Sequence, residues 1–189
     1  MAKRFTKVSS TAFKNMQRGA GMILTKFDPA SPVDPPDEDI VCATTGGIQA
    51  SCVATYADDF EDVDNVASNT KEGKVLKGWE CKFVFTAVTM TAESVKLSLG
   101  PATISGNKVS PKADLELSDF TDNLWWVGDL GDNGLAAINL KNVLSSGGFS
   151  LQTTKDGKGQ VSVELQGHVS IKQQNVVPMD FYITQEIAA

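Results

Sequence analysis

The stretch "YADDFEDVDNV", residues 56–66, places five carboxylates within seven positions: Asp58, Asp59, Glu61, Asp62 and Asp64. Oxygen-rich clusters of this kind are what a hard cation such as calcium takes as ligands. A regular calcium loop needs acidic or amide side chains at positions 1, 3 and 5, glycine at 6 and glutamate at 12. Counted from Asp62, the run has Val66 fifth, Ala67 sixth and Gly73 twelfth, so the pattern fails. "DLGDNG", residues 129–134, starts better with Asp129, Asn133 and Gly134, but has Gly131 third and Leu140 twelfth. Three readings of the acidic run are left: an irregular cation site, a solvated polar loop, or a loop that becomes ordered only against a partner.

Other chemistry is sparse. The chain has one histidine, His168, and no G-x-S-x-G elbow that would present a nucleophilic serine to it. There is no phosphate-binding G-x-x-x-x-G-K-[ST] loop and no G-x-G-x-x-G following a strand. The three cysteines, Cys42, Cys52 and Cys81, include no Cys-x-x-Cys pair, which gives neither a zinc ribbon nor a disulfide framework. Cys42 and Cys81 lie in apolar runs, where a thiol acts as a small hydrophobe. The expectation is a protein without catalytic residue, cofactor or metal. Trp125-Trp126 carries a different idea, because an exposed indole on a β-sandwich can stack on a sugar ring. Neighbours in a strand face opposite ways, so at most one of the pair is exposed, and that one would equally suit a subunit contact.

The elements that position these residues are mainly strands. Residues 19–27 form a short apolar strand, and 28–39, with four prolines and five acids, an extended connection. Residues 40–56 read as strand, Gly46-Gly47 bulge, strand, with Ile48, Ala50, Cys52 and Ala54 on one face. Residues 57–75 read as a long polar loop. Residues 79–89 are the clearest strand, with Trp79, Cys81, Phe83, Phe85 and Ala87 inward and Glu80, Lys82 and Thr86 outward. Residues 91–101 switch to helical spacing, capped by Thr91, striped by Ala92, Val95 and Leu99 and stopped by Gly100-Pro101. The second half reads as strands and turns: a hairpin about Gly106-Asn107, an aromatic strand over 123–130, an ambiguous segment over 134–144, and a late hairpin about Asp156-Gly157. In its last strand Val161, Val163, Leu165, Val169 and Ile171 point inward. Ser162, Glu164, Gln166, His168 and Ser170 point outward. Such a polar sheet face suits bulk solvent or the wall of a water-filled channel.

Charge is unevenly placed. The chain of 189 residues carries a net charge of −6. Residues 1–18 hold Lys3, Arg4, Lys7, Lys14 and Arg18 and no acid, an arm of +5, which leaves 12 basic and 23 acidic side chains and −11 on the rest. An acidic body excludes a DNA-gripping surface, which requires a basic patch. A basic arm on an acidic body suggests complementarity between copies. The N-terminus shows no signal-peptide core and no run approaches the length of a membrane span, so synthesis in a reducing cytoplasm and no membrane partner are expected.

Three stretches in order resemble the major tail (tail tube) proteins of long-tailed, siphovirus-like bacteriophages and prophages. They are "CATTGGIQASCVATYADDFEDVDNVASNTKEGKVLKGWECKFVFTA" (42–87), "ESVKLSLG" (93–100) and "NLKNVLSSGGFSLQTTKDGKGQVSVELQGH" (139–168). The resemblance implies an antiparallel β-sandwich or half-open barrel flanked by one short helix, with a basic arm over 1–18 and a single domain over 19–189. It implies a structural virion protein, not an enzyme, whose hexameric rings stack into the tube that conducts DNA during ejection. Its partners would be copies of itself and other tail proteins (tape measure, terminator and baseplate), with DNA passing transiently. A secretion-type tube, a tail terminator and a carbohydrate-binding module are the alternatives. On this reading Tyr56, Asp58, Asp59, Phe60, Glu61, Asp62 and Asp64 form an inter-subunit loop. Glu80, Lys82, Ser162, Glu164 and Gln166 are candidates for the channel wall.

Overall fold

The computed structural model describes residues 8–184 apart from Ser10 and Asp132. The fold is mainly β, antiparallel throughout, with one α-helix among the described residues. Strand β1 (Gln17–Leu24) is followed by the proline-rich connection and by β2 (Thr44–Asp58) and β3 (Lys74–Ala87), which form one long hairpin. Helix α1 (Ala92–Leu99) leads into the small hairpin of β4 (Ala102–Ser105) and β5 (Lys108–Pro111). Then come β6 (Thr121–Leu130), β7 (Leu135–Ser145), β8 (Ser150–Gln152), β9 (Gln160–Gly167) and β10 (Met179–Thr184). The main sheet runs β1-β6-β7-β9-β3-β2, with β10 added to β7 and β8 to β9.

The sheet curls because its apolar positions alternate and must meet. Cys81, Phe83, Phe85 and Ala87 of β3 lie inward with Val161, Val163 and Leu165 of β9. They pack against Ile23, Leu124, Leu140 and Val143, contributed by the far side of the same sheet. The result is a half-open barrel around one core. Strands β6 and β7 are buried on both faces: Trp125, Val127, Leu135 and Ala137 form a second core beneath Phe27 and Tyr182. Two glycine sites shape the barrel. Gly21 has φ +70°, and a Cβ there would lie 2.5 Å from both Trp126 Nε1 and the Val127 carbonyl, so only glycine lets β1 approach β6. Gly46 and Gly47, at φ +75° and +82°, make the expected bulge, where the β2–β3 register shifts between Thr45 and Ile48.

Helix α1 starts and stops as its sequence directs. Thr91 Oγ1 accepts from Ser94 N at 3.1 Å, Ser94 Oγ accepts from Thr91 N at 2.9 Å, and Gly100 ends the helix. Its buried face differs from the expected stripe. Ser94 and Ser98 are buried and Leu97 packs on the core, while Ala92, Val95 and Leu99 are only partly covered. Each buried serine satisfies its hydroxyl by donating to the carbonyl three residues back, Thr91 for Ser94 and Val95 for Ser98, so the small residues lie close to the sheet without an orphaned polar group.

The segment over 134–144, ambiguous in the sequence, is strand from Leu135 onward, paired with both β6 and β10. Two further expectations are corrected. Strand β9 ends at Gly167, so Val169 and Ile171 do not point inward; both are exposed. The polar loop is shorter than 57–75, because Ala57 and Asp58 still pair with Val75 and Lys74.

Candidate assembly surface

The β2–β3 hairpin outreaches the body that it belongs to. At its inner end β3 pairs β2 on one side and β9 on the other, but β9 accompanies it only over 82–87. From Cys81 outward the hairpin continues as a two-stranded arm to Asp58 and Lys74. Register and alternation place Ala54, Tyr56, Leu76 and Trp79 on the same face as Cys52, Cys81 and Phe83. A bulge at Lys77, where the register passes from Thr55–Gly78 to Tyr56–Leu76, keeps Leu76 on that face. The inward side of the core thus runs out along the arm with little above it: Trp79 is 40% exposed, Leu76 47% and Tyr56 61%. Trp79 was expected in the core; it has the right parity but lies beyond the end of β9. A cleft of about 510 Å³ separates this apolar stripe from the 169–178 segment, whose Val169, Val176 and Pro178 form its other wall.

The tip of the arm is a series of turns built on Asp58. Its carboxylate accepts from Phe60 N at 3.1 Å and Asn69 N at 3.0 Å, and receives Lys74 Nζ at 3.3 Å. The hydrogen bond from Phe60, aided by Lys74, holds the Asp58 carboxyl below the usual carboxylate range. Lys74 Nζ also reaches Asn69 Oδ1 at 2.6 Å, and Asp59 N donates to the Gly73 carbonyl at 2.8 Å. Phe60 packs over Gly73, where a Cβ would come within 2.8 Å of the ring. Asp58 is therefore a structural capping group, whereas Asp59, Glu61, Asp62 and Asp64 are exposed on the tip.

Glu80, Lys82, Ser162, Glu164 and Gln166 lie on one face of the β3–β9 pair. Lys82 stands opposite Gln166 and Thr86 opposite Ser162. Lys82 Nζ pairs with Glu80 at 2.7 Å and Glu164 at 3.3 Å, and these two carboxylates raise the lysine above its ordinary value. Ser146 Oγ donates to Glu164 Oε1 at 3.1 Å. The face is polar and near charge balance, with its lysine already engaged.

Lys3, Arg4 and Lys7 of the basic arm lie outside the described residues. Lys14 sits in a turn, and Arg18 is already in β1, opposite Asp129, so the arm as read over 1–18 overlaps the first strand. Met16 O accepts from Gly131 N at 3.1 Å, which ties the chain to the β6–β7 turn, while Phe13 and Met16 stay exposed.

Of the adjacent tryptophans, Trp125 is buried and Trp126 only partly so. Trp125 lies edge-on to Phe27, 5.8 Å between ring centroids, and 5.5 Å from Tyr182; the half-buried Trp126 donates from Nε1 to the Ala20 carbonyl at 3.0 Å. His168 closes β9: its backbone N–H donates to the Lys141 and Asn142 carbonyls and its ring lies edge-on to Phe120. A cavity of about 650 Å³ lies between α1, β4 and residues 118–121. Its walls are Leu97, Ile104, Phe120 and Leu124, with Glu93 and Lys96 at hand, and Asp119 there is bound to Lys112 at 2.7 Å. Among the described residues no group of three or more His, Cys, Asp or Glu is placed to hold a metal ion. No described helix is long and apolar enough to cross a membrane.

No protein-family model matches the chain, and no curated protein matches it. Among solved structures, a chain of the virion of a native gene transfer agent particle aligns over 88% of this chain and 99% of its own, with 9% identity and a TM-score of 0.44. A chain from the tail of an empty gene transfer agent particle, refined helically with C6 symmetry, aligns over 82% and 96%, with 8% identity and a TM-score of 0.43.

Proposed function

We propose that this chain is a structural virion subunit that polymerises with copies of itself into a phage-type tail tube. The observation that carries the reading is the overhanging β2–β3 arm, whose core-side face leaves Tyr56, Leu76 and Trp79 only partly covered by its own chain. A contiguous apolar stripe beside a cleft is the surface that a monomer keeps for a partner. The resemblance of residues 42–87, 93–100 and 139–168 to tail tube proteins supports another copy as the partner. In that assembly the stripe of one subunit is covered by the next, and heterologous contacts of this kind close into rings or extend as filaments. The exposed Asp59, Glu61, Asp62 and Asp64 carry the tip toward a basic surface, for which Lys3, Arg4 and Lys7 of a neighbour have the opposite charge. Rings are hexameric and stack, and the face with Ser162, Glu164, Gln166, Glu80 and Lys82 lines the bore through which DNA passes. A bore needs weak contact with phosphate, and a lysine held between two carboxylates provides that.

Negative-stain microscopy and sedimentation of concentrated protein test the reading. Rings or tubes are expected, and their loss in Trp79→Ser with an unchanged monomer fold. A wild-type protein that stays monomeric at every concentration overturns it. Trp125 is buried, and the half-buried Trp126 has its Nε1 engaged by the Ala20 carbonyl, which weighs against a sugar-binding reading.

A further inference from the structure

Cys52 and Cys81 stand opposite each other in the β2–β3 register, at the last rung of the hairpin anchored in the core. Their sulfurs are 2.7 Å apart, and all three cysteines are free thiols. Directly opposed residues of an antiparallel pair have Cα atoms about 4.5 or 5.5 Å apart. Both values lie inside the range of about 4.4–6.8 Å that a disulfide spans. Closing the bond therefore asks for side-chain rotation and little backbone movement. Access is unequal. Cys81 is fully buried, and burial, reinforced by contact with Cys52, pushes its thiol up to about 12. Cys52 is half-buried. Cys42 is buried elsewhere in the core, where desolvation raises it to about 11.

We propose that Cys52 and Cys81 form an oxidisable dithiol site, which a disulfide oxidant of the glutathione type converts into an intramolecular cross-strand disulfide that pins the root of the hairpin arm. Cys52, as thiolate, attacks one sulfur of the oxidant, forms a mixed disulfide and expels one glutathione thiolate. Cys81 then gives up its proton, attacks the Cys52 sulfur and expels the second thiolate. Two protein thiols are oxidised, one oxidant disulfide is reduced to two thiols, and the two protons released by the protein end on the two glutathione molecules. Accessibility sets the order, since the oxidant reaches Cys52 first. The buried thiol makes the second step the slow one at neutral pH, and the step accelerates as pH rises. The bond encloses residues 53–80, so the apolar stripe and the acidic tip come to lie within one closed loop. This inference rests on the hairpin alone and holds whether or not the chain polymerises.

The full chain is incubated with glutathione disulfide at mildly alkaline pH, quenched with acid, and followed by thiol titration, intact mass and peptide mapping. Free thiols are expected to fall from three to one, with the mass loss of two hydrogens and a peptide joining Cys52 to Cys81. Trypsin cleavage after Lys71 or Lys77 should leave the two halves joined until reductant is added. Cys42→Ser should still lose two thiols, and Cys52→Ser should form no internal bond. Three retained thiols, a lasting glutathione adduct, or a bond through Cys42 or between chains overturns the proposal. The wild-type peptide map decides the matter even where a cysteine variant fails to fold.

Discussion

Asp58 and Trp79 behave differently from what their residue types suggest. Asp58 belongs to a run of carboxylates that looks like a patch of like charge, yet it accepts two backbone hydrogen bonds and an ammonium group. Its lowered carboxyl sets the sign of a pH effect. A group whose folded value lies below its unfolded one, about 3.9 for aspartate, stabilises the fold above that unfolded value. It loses the contribution as pH falls through the folded value. The amides of Phe60 and Asn69 should therefore stay protected at neutral pH and exchange faster, after correction for intrinsic rates, once the solution is more acidic than about pH 4. Asp58→Ala should show the faster exchange already at neutral pH, whereas Asp62→Ala should not. Equal protection in both variants would mean that the turns hold the tip without Asp58. Trp79 shows the converse limit. Alternation assigned it to the core side correctly, but parity says which face a side chain takes and nothing about how far the covering layer extends.

At the level of the hairpin, one strand pair has two regimes. Phe83 sits where β9 runs alongside β3 and is fully buried; Trp79 sits on the same face of the same strand where β9 has ended. Phe83→Ala should cost the monomer about 3–5 kcal/mol, as large-to-small core changes do. Trp79→Ser, at a side chain only partly covered by its own chain, should cost the monomer less than Phe83→Ala while abolishing association. Thermal unfolding of both variants beside sedimentation separates the effects; a large monomer loss in Trp79→Ser would mean that the arm is part of the fold's own core. The same strand pair marks what the sequence could disclose. The Gly46-Gly47 bulge, the capped helix, the inward run Phe83, Phe85, Val163, Leu165 and the grouping of Lys82 with Glu164 and Gln166 were legible, because each follows from local pattern. The opposition of Cys52 and Cys81 was not, since it depends on pairing across 29 positions and on a register that bulges shift at either end. Nor was the early end of β9, where Val169 continues the alternation but the chain turns away after Gly167.

Over the whole molecule, charge decides how copies meet. The net charge of −6 repels one copy from another, and the exposed tip carboxylates concentrate that repulsion. Screening near physiological salt confines such effects to about 8 Å, so wild-type assembly should respond to salt. Changing Asp59, Glu61, Asp62 and Asp64 to Asn or Gln, with Asp58 retained, should leave the fold intact and flatten that response in light scattering. An unchanged salt profile would make the tip a bystander. The polar sheet face poses a separate electrostatic problem. Lys82 lies between Glu80 and Glu164, so phosphate finds little free positive charge there. Glu164→Lys removes one of its two partners and adds a second cation beside it on every subunit. The side chain is partly exposed and its backbone pairing is untouched, so the fold and the assembled morphology should survive. If this face lines a bore, the variant tubes should retain DNA at low salt and release it as salt rises, with log affinity falling linearly against log salt as expected for phosphate contacts. Wild-type tubes should retain little at either extreme. Co-sedimentation of short duplexes with both kinds of tube across a salt series makes the comparison. Variant tubes of normal shape that bind no more DNA than wild type would place Glu164 away from the bore and turn the opposite side of the sheet inward.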